Sequence, residues 1–230
     1  MATVIDQARL VAHGAWGASS GTEGERLELP GADLSGADLT GANLSGAVLI
    51  EAELVNAVLT RAQLQGVDLY RAFAAGARVD GADLTAACLV KADFSGAVLT
   101  GAVLRRVNAL RADFTAADLT RVDLTESWLA AASVSAATLT GCRLVDCDAP
   151  RFAVGDSRFD VSSVTGMQGW LIRGDEPVTL LGEGPERSVG IAELAAILTA
   201  RGARVDAWRA DDPEARPDDG SWRFASEATH

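Results

Sequence analysis

Aromatic side chains are scarce in this sequence: they make up 5% of its 230 residues, although 48% of the residues are hydrophobic. The apolar content is therefore mostly Ala, Leu and Val, so any core must be built from small side chains packed in a regular way. The sequence also lacks a run of about 18 apolar residues, the length that a transmembrane helix needs. We therefore expect no membrane partner.

Cysteine and histidine are rare as well, with three and two copies. An odd and low number of cysteines is not typical of a disulfide framework. His13 lies near the N-terminus and His230 is the last residue, so neither suits a catalytic triad or an imidazole-based metal site. Cys142 and Cys147 occupy equivalent positions of the repeat described below, which favours core packing over a metal or redox pair. We expect no enzyme activity, no metal and no cofactor.

Positive charge is in deficit, because 20 Lys and Arg stand against 32 Asp and Glu and the formal net charge is −12. Such a balance disfavours direct binding to nucleic acid. The first residues also lack the basic start and the continuous apolar segment of a secretory signal. We therefore expect a cytoplasmic protein.

What the sequence does contain is a five-residue repeat. From Leu29 to Val164, 28 consecutive units place an apolar residue at every fifth position, with no insertion, and usually an alanine two residues before it. Five residues are too few for a helical repeat, but they fit one short extended side and one corner. Four such units form a square coil, so the repeat predicts about seven coils stacked into a rod of roughly 33 Å, at ~4.8 Å per coil.

The pattern Ala-(Asp/Asn)-Leu-x-x, as in Ala32-Asp33-Leu34 and Ala42-Asn43-Leu44, resembles that of the pentapeptide-repeat family over about 60% of the chain. The resemblance implies an all-β solenoid, namely a right-handed quadrilateral β-helix. It further implies that a short N-terminal helix caps one end and that a C-terminal helix caps the other or pairs two rods into a dimer. Some members of the family mimic duplex DNA, bind type II topoisomerases such as gyrase, and confer resistance to drugs or toxins.

Four segments follow from this pattern. Residues 1–28 form an N-terminal capping helix and linker, residues 29–164 the β-helix, residues 165–206 a C-terminal cap or appendage with one helix, and residues 207–230 an acidic tail that is predicted to be disordered. We call this last segment the C-terminal tail.

The ends of the rod carry more detailed predictions. An amphipathic helix is predicted from Thr3 to Trp16, with His13 and Trp16 packed over the first coil. The repeat register is expected to stop after Val164. Beyond it the sequence predicts that residues 167–172 seal the last coil, that residues 177–181 form a strand, and that residues 188–201 form a helix with Ser188 as N-cap and Gly202 as stop.

Sorting the residues by a 20-residue period places the inward Phe94 and Phe114 on adjacent coils, where their rings can stack. It also shows that the sides of the rod differ in their outward positions. One side, the threonine side, is interpreted as a plain solvated wall. A second side carries acids, interrupted by Phe73, and we call these acids the acidic ladder. The threonine side presents Thr40, Thr60, Thr100, Thr120 and Thr140, and the acidic ladder comprises Asp33, Glu53, Asp93 and Asp113.

The side centred on Leu49 is apolar in its outward positions, and cations stand at the corner next to it. An exposed apolar patch of several hundred Å² usually marks a contact surface. The apolar side comprises Val48, Ile50, Tyr70, Cys88, Val90, Leu110 and Trp128, and the basic corner comprises Arg71, Lys91 and Arg111.

Two interpretations of the apolar side remain open. Either the protein's own C-terminal segment or a second subunit covers it, or it binds a different partner. The basic corner also has a simpler explanation, since Lys91 and Arg111 each lie two residues from an acid and could pair with Asp93 and Asp113 across coils.

Three functions are consistent with the sequence. The first is a non-catalytic protein-interaction module. The second is a duplex mimic that binds gyrase; the rod length matches one DNA turn of ~34 Å, but one turn carries roughly 20 charges, whereas residues 29–164 carry a net charge of −5. The third is binding of a small molecule, or an enzymatic step, by residues 165–206.

Overall fold

Short parallel contacts between successive turns of the chain dominate the computed structural model, which describes residues 7–160, 164–172, 177–181 and 185–207. The elements are, in chain order, α1 (Gln7–Ala18), β1 (Thr138–Leu139), β2 (Asp148–Ala153), β3 (Arg158–Asp160), β4 (Gln168–Ile172), β5 (Val178–Leu181), β6 (Arg187–Val189), α2 (Ile191–Ala200) and β7 (Arg204–Ala207).

Parallel bridges between residues 20 positions apart build the rod. They begin with Glu28 opposite Val48 and continue to Ser133 opposite Ala153. Each bridge has backbone hydrogen bonds on both flanks: the N–H of Leu34 donates to the carbonyl of Glu53 at 2.7 Å, and the N–H of Glu53 donates to that of Ala32 at 2.9 Å. A 20-residue coil with four sides is therefore what the structure contains, as the five-residue period predicts.

The corners explain why Asp or Asn precedes the apolar centre of so many units. The carboxylate of Asp33 accepts a hydrogen bond from the backbone N–H of Ser35 at 3.1 Å, and the amide oxygen of Asn43 accepts from that of Ser45 at 3.1 Å. These bonds hold the start of each turn, as Asx residues do elsewhere. The next residue has a positive φ, for example 66° at Gly36, and the N–H of Ala37 closes the turn onto the carbonyl of Leu34 at 3.0 Å.

Many corners hold a side chain where glycine fits best, and this strain can be measured. Ala116 has a φ of 58°, and Gly96, one coil above it, has a φ of 62°. We expect Ala116→Gly to raise the free energy of unfolding by about 0.5–1 kcal/mol, because a left-handed conformation costs an L-residue more than a glycine. Gly96→Ala, whose new Cβ would meet open space, should lower it by a similar amount. Urea unfolding of both variants measures these changes. Changes of the same sign in the free energy of unfolding would contradict the prediction.

The core consists of the centres and the inner small residues. Phe94 and Phe114 stack on adjacent coils with their ring centroids 5.7 Å apart and an interplanar angle of 18°, which confirms the predicted pairing beside the small Ala74. Cys142 and Cys147 are 2% and 0% exposed, as predicted for core residues. Burial raises the pKa of each thiol to about 12, and each donates a hydrogen bond to a core-facing backbone carbonyl 23 residues earlier in the chain.

Helix α1 covers the first coil. It ends at Ala18 rather than Trp16, and the predicted start at Thr3 lies outside the described residues. His13 is 1% exposed and stacks on Trp16, with ring centroids 5.5 Å apart. Its Nδ1 accepts a hydrogen bond from the N–H of Leu27 at 3.0 Å. The predicted packing of His13 and Trp16 over this end is confirmed.

The parallel ladder continues beyond Val164, but the 20-residue register is lost soon after it: Pro150 lies opposite Trp170, whereas Phe152 lies opposite Leu171. Strand β4 pairs with β2, with Gln168 opposite Asp148, and β5 pairs with β3, with Thr179 opposite Arg158. Strand β7 then pairs with β4, with Arg204 opposite Gln168. The backbone makes these contacts, and they persist where the side-chain pattern has faded.

The last turn of the chain spans 36 residues instead of 20, and the extra residues include a hairpin and α2. Strands β5 and β6 are antiparallel, with Val178 opposite Val189. The predicted helix starts later than expected: Ser188 lies in β6, and the N-cap is Gly190, which makes no side-chain cap hydrogen bond. The predicted stop is in place, since Gly202 follows the helix with a φ of 91°.

Candidate interaction surface

The apolar side is a column of stacked residues that follow the centre of each unit. Backbone hydrogen bonds hold this stack: the N–H groups of Glu51, Arg71 and Lys91 donate to the carbonyls of the column residues one coil below, at 2.8, 2.9 and 2.9 Å. The seven residues predicted for the apolar side are all half-buried. The column that the structure forms is Pro30, Ile50, Tyr70, Val90, Leu110, Ala130 and Pro150.

Three members of this column, Pro30, Ala130 and Pro150, are not among the residues that the sequence predicts for this side. Their position in the 20-residue period would have identified them. In the neighbouring outward column, by contrast, polar residues alternate with Val48, Cys88 and Trp128. Asp68 and Asn108 stand there and accept hydrogen bonds from the backbone N–H of Tyr70 and Leu110 at 3.0 and 3.2 Å. The continuous apolar surface is therefore one column wide and runs from Ile50 to Leu110, because Ala130 and Pro150 are buried.

The basic corner lies between the apolar side and the acidic ladder. Arg71 forms an ion pair with Glu51 at 2.9 Å, and Lys91 Nζ lies 6.0 Å from the centroid of the Tyr70 ring. Among the described residues, neither Lys91 nor Arg111 forms an ion pair. The ion pairs with Asp93 and Asp113, offered as the simpler explanation of this corner, are therefore absent.

The acidic ladder has a structural role that explains part of its charge. Asp93 and Asp113 accept hydrogen bonds from the backbone N–H of Ser95 and Thr115, each at 2.8 Å. The backbone N–H of Ser35 donates to Asp33 in the same way, and this hydrogen bond is the main reason why the pKa of Asp33 is lowered. Parallel bridges place Phe73 between Glu53 and Asp93, and Phe73 is 48% exposed.

The two remaining sides are tied by polar side chains across coils. On the threonine side, Thr60 donates to Asp80 at 3.0 Å, and Thr100 donates to Asp118 at 3.0 Å. On the side centred on Leu104, Arg105 Nε lies 2.8 Å from Asp123. These side chains have polar partners within the rod, whereas the outward side chains of the apolar column are hydrocarbon or aromatic from Ile50 to Leu110.

His13 titrates in an environment that opposes its charge. Burial is the main reason why the pKa of His13 lies below the ordinary value of 6.5, and the positive charge of the nearby Arg26 lowers this pKa further. Its Nε2 is buried without a hydrogen-bond partner among the described residues. Protonation of His13 therefore opposes the docking of α1.

We expect this burial to make the protein less stable in weak acid. Because the folded-state pKa lies below 6.5, the unfolded chain binds the proton first as the pH falls. The contribution of neutral His13 is intact above pH 6.5 and is lost below it, with a slope of at most about 1.4 kcal/mol per pH unit. Urea unfolding between pH 7.5 and 5.5 tests this against His13→Gln, which should lack the slope; parallel curves would refute it.

The described residues contain no group of three or more His, Cys, Asp or Glu side chains placed to hold a metal ion. Within the same residues, no helix is long and apolar enough to cross a membrane.

Comparison with known proteins bears on this geometry. The family model described as pentapeptide repeats matches in eight copies, over residues 28–66, 62–101, 97–135 and 117–149, which is more than half of the chain. No curated protein sequence matches.

Among solved structures, HetL, a pentapeptide repeat protein from the cyanobacterium Nostoc sp. strain PCC 7120, is 23% identical; the match covers 74% of this chain and 89% of HetL, with a TM-score of 0.30. Trypsin-treated QnrB1, a plasmid-mediated fluoroquinolone resistance protein, is 19% identical over 76% of this chain and 95% of its own, with a TM-score of 0.49. The pentapeptide repeat protein alr5209 from Nostoc PCC 7120 is 30% identical over 51% of this chain and 84% of its own, with a TM-score of 0.24.

Proposed function

The chain belongs to the pentapeptide-repeat family, whose members form right-handed β-helices, and from this premise we propose that it is a non-catalytic protein-interaction rod. In this proposal residues 29–164 form about seven coils, residues 1–28 and 165–206 cap them, and the apolar side with the basic corner binds a protein partner in the cytoplasm. The observation that carries the proposal is the contrast between sides: the threonine side and the side centred on Leu104 carry polar side-chain contacts across coils, while Ile50, Tyr70, Val90 and Leu110 form an apolar outward column over four coils.

The composition of this surface supports a protein partner. Tyrosine, tryptophan and arginine are the residues that contribute most often to binding energy at protein interfaces. Tyr70 and Trp128 lie on the apolar side, half-buried, and Arg111 projects beside them from an exposed corner. The side is a sheet surface with few projections, which suits either a second copy of the rod or an extended segment.

Single charges on the apolar side should abolish partner binding. We expect Tyr70→Asp to remove proteins that copurify with the wild type in cells, while Thr100→Asp on the threonine side retains them, because a carboxylate loses its solvation when the apolar column is covered. Identical recoveries with all three proteins would contradict the proposal.

A homodimer through the same side is tested separately by light scattering on purified wild type and Trp128→Asp. A wild-type dimer that dissociates in the variant would identify the second copy as the partner. A monomeric wild type would exclude the dimer.

The second candidate is a duplex mimic that binds DNA gyrase, which would give drug resistance. The acidic ladder and the net charge of −12 favour it; QnrB1, one of the similar structures, is a fluoroquinolone resistance protein. The basic corner runs beside that ladder and offsets it, so the charge pattern supports this candidate less well than the first. Gyrase supercoiling with and without a quinolone tests it, and no effect at micromolar protein would exclude it.

A further inference from the structure

The apolar column has a regular spacing that a partner must match. Ile50, Tyr70, Val90 and Leu110 lie on four successive coils, and all four are half-buried. Parallel backbone hydrogen bonds join these coils and keep neighbouring coils ~4.8 Å apart. The column therefore extends over ~14 Å along the rod axis by the same spacing, and each of its side chains is one contact point.

An α-helix that lies along the rod axis matches this spacing. When apolar residues recur alternately at three and four positions, as along the seam of a coiled coil, four of them stand at ~0, 4.5, 10.5 and 15 Å along the helix. The four coils stand at ~0, 4.8, 9.6 and 14.4 Å, so the two rows stay within ~1 Å of each other. An extended segment repeats its side chains every ~6.7 Å and is ~2 Å out of step after one repeat.

One flank of the column is positively charged. Arg71, Lys91 and Arg111 directly follow three of the column residues, and their side chains are exposed. Lys91 Nζ lies 6.0 Å from the centroid of the Tyr70 ring, so this cation stands at the margin of the column. The opposite flank of the same four coils has no cation. Its residues are Val48, Asp68, Cys88 and Asn108.

The acids of the rod leave two of these cations unpaired. Asp93 and Asp113, on the far side of the corner, accept hydrogen bonds from backbone N–H groups of their own turns at 2.8 Å. Among the described residues, Lys91 and Arg111 form no ion pair. Carboxylates on one flank of a bound helix would complement these two cations.

We infer that the apolar side binds an amphipathic α-helix of a partner protein, which lies along the rod axis. Its apolar stripe packs on the column from Ile50 to Leu110, and a row of acids on one flank faces Lys91 and Arg111. The inference rests on the proposed function, because it names the kind of partner that the same surface takes. The C-terminal tail, apart from Ala207, lies outside the described residues.

A second copy of the rod also suits the flat shape of this side, but the charges disfavour it. An antiparallel copy that places column on column also places basic corner on basic corner, so that Arg71, Lys91 and Arg111 would face like charges. A parallel copy would place the column against the neighbouring column of the other rod. That arrangement buries the carboxylate of Asp68 against apolar side chains, at the cost of its solvation.

Synthetic peptides test this class of partner. The glutamate peptide is an alanine-based helix of about 20 residues, with leucines in one stripe and glutamates along one flank of the stripe; the lysine peptide has lysines in place of the glutamates. We expect the full-length protein to bind the labelled glutamate peptide about tenfold more tightly, as for two or three exposed ion pairs. Fluorescence anisotropy measures both affinities, and Tyr70→Asp should abolish the binding of both peptides.

Reversal of charge at the corner makes the test specific. In Lys91→Glu with Arg111→Glu the preference should invert, so that the lysine peptide binds more tightly. Arg61→Glu with Arg121→Glu is the matched control: it changes the net charge equally, and both residues are exposed at another corner, with φ of 56° and 59°. This control should keep the preference for the glutamate peptide. A proline in the middle of the glutamate peptide should weaken its binding at least about tenfold, because it breaks the helix.

Three results would overturn the inference. They are no binding of the glutamate peptide at about 100 µM, a preference for it that survives the reversal of Lys91 and Arg111, and equal binding of the proline peptide, which would identify an extended segment. If the glutamate peptide does not bind while Tyr70→Asp still removes the copurifying proteins, only the helix inference fails. If Tyr70→Asp removes none of them while the glutamate peptide binds, the proposed function fails.

Discussion

Phe94→Ala should lower the free energy of unfolding by about 3–5 kcal/mol, the range for removing a buried phenylalanine side chain. Phe94 is 1% exposed and stacks on Phe114. The coil on its other side offers only Ala74 at the equivalent position. Truncation of Phe94 would therefore leave two alanines on adjacent coils, and the paired backbones limit how far the coils can close onto the cavity. Urea unfolding followed by circular dichroism measures the loss.

Phe73→Ala is the matched control, because Phe73 lies in the same rod but is 48% exposed. It should change the free energy of unfolding by less than about 0.5 kcal/mol, as surface substitutions usually do. Phe94→Leu, which restores the commonest residue of the repeat, should cost less than Phe94→Ala. Similar losses for Phe94→Ala and Phe73→Ala would contradict the assignment of the aromatic pair as a core contact.

Gly169→Ala should release the C-terminal coil from the rod. Gly169 has a φ of 131°, and a Cβ at this position would lie 2.5 Å from the carbonyl carbon and oxygen of Ala149 and 2.7 Å from the nitrogen of Pro150. A φ of this size is rare for L-residues and costs of order 1–3 kcal/mol, and the clash is with backbone that cannot rotate away. Strands β2 and β4 would have to separate, and β7, which pairs with β4, would be lost with them.

Hydrogen exchange locates this effect. The amides of Gln168 and Arg204, which donate to the carbonyls of Cys147 and Met167, should exchange about 100-fold faster, equivalent to about 3 kcal/mol of local stability. The amide of Leu84, in the middle of the rod, should keep its protection. Gly101→Ala is the control: its φ is 68° and a Cβ there would meet open space, so the C-terminal amides should be unaffected. Unchanged exchange at Gln168 in Gly169→Ala would refute the prediction.

The rod could be predicted because the five-residue repeat continues from Leu29 to Val164 without an insertion. A period of five residues with an inward centre leaves few arrangements that bury Leu34, Leu39, Leu44 and Leu49 together, and a four-sided coil is one of them. The pairing of Phe94 and Phe114 followed from the same arithmetic, since residues 20 positions apart stack. The same period sorts the outward positions into columns, so the sequence also predicts the apolar side.

The candidate surface could be predicted only in part, because an aspartate in this repeat can act either as a surface charge or as a hydrogen-bond acceptor within its own turn. Asp33, Asp93 and Asp113 were grouped as charges, yet each accepts a backbone hydrogen bond in its own turn. That use turns the carboxylates of Asp93 and Asp113 toward their own corners, and the expected ion pairs with Lys91 and Arg111 do not form. The hydrogen-bond geometry that decides between the two uses is not visible in a column of letters.

The sequence by itself determined the coil, the inward and outward sorting of its residues and the family. The tertiary structure alone decided where the ladder ends, which cations stay unpaired and where the chain leaves the rod. The reason is physical: side-chain periodicity reports burial, whereas parallel pairing is made by backbone groups that every residue carries. Strands β4, β5 and β7 therefore continue the rod after its pattern has faded.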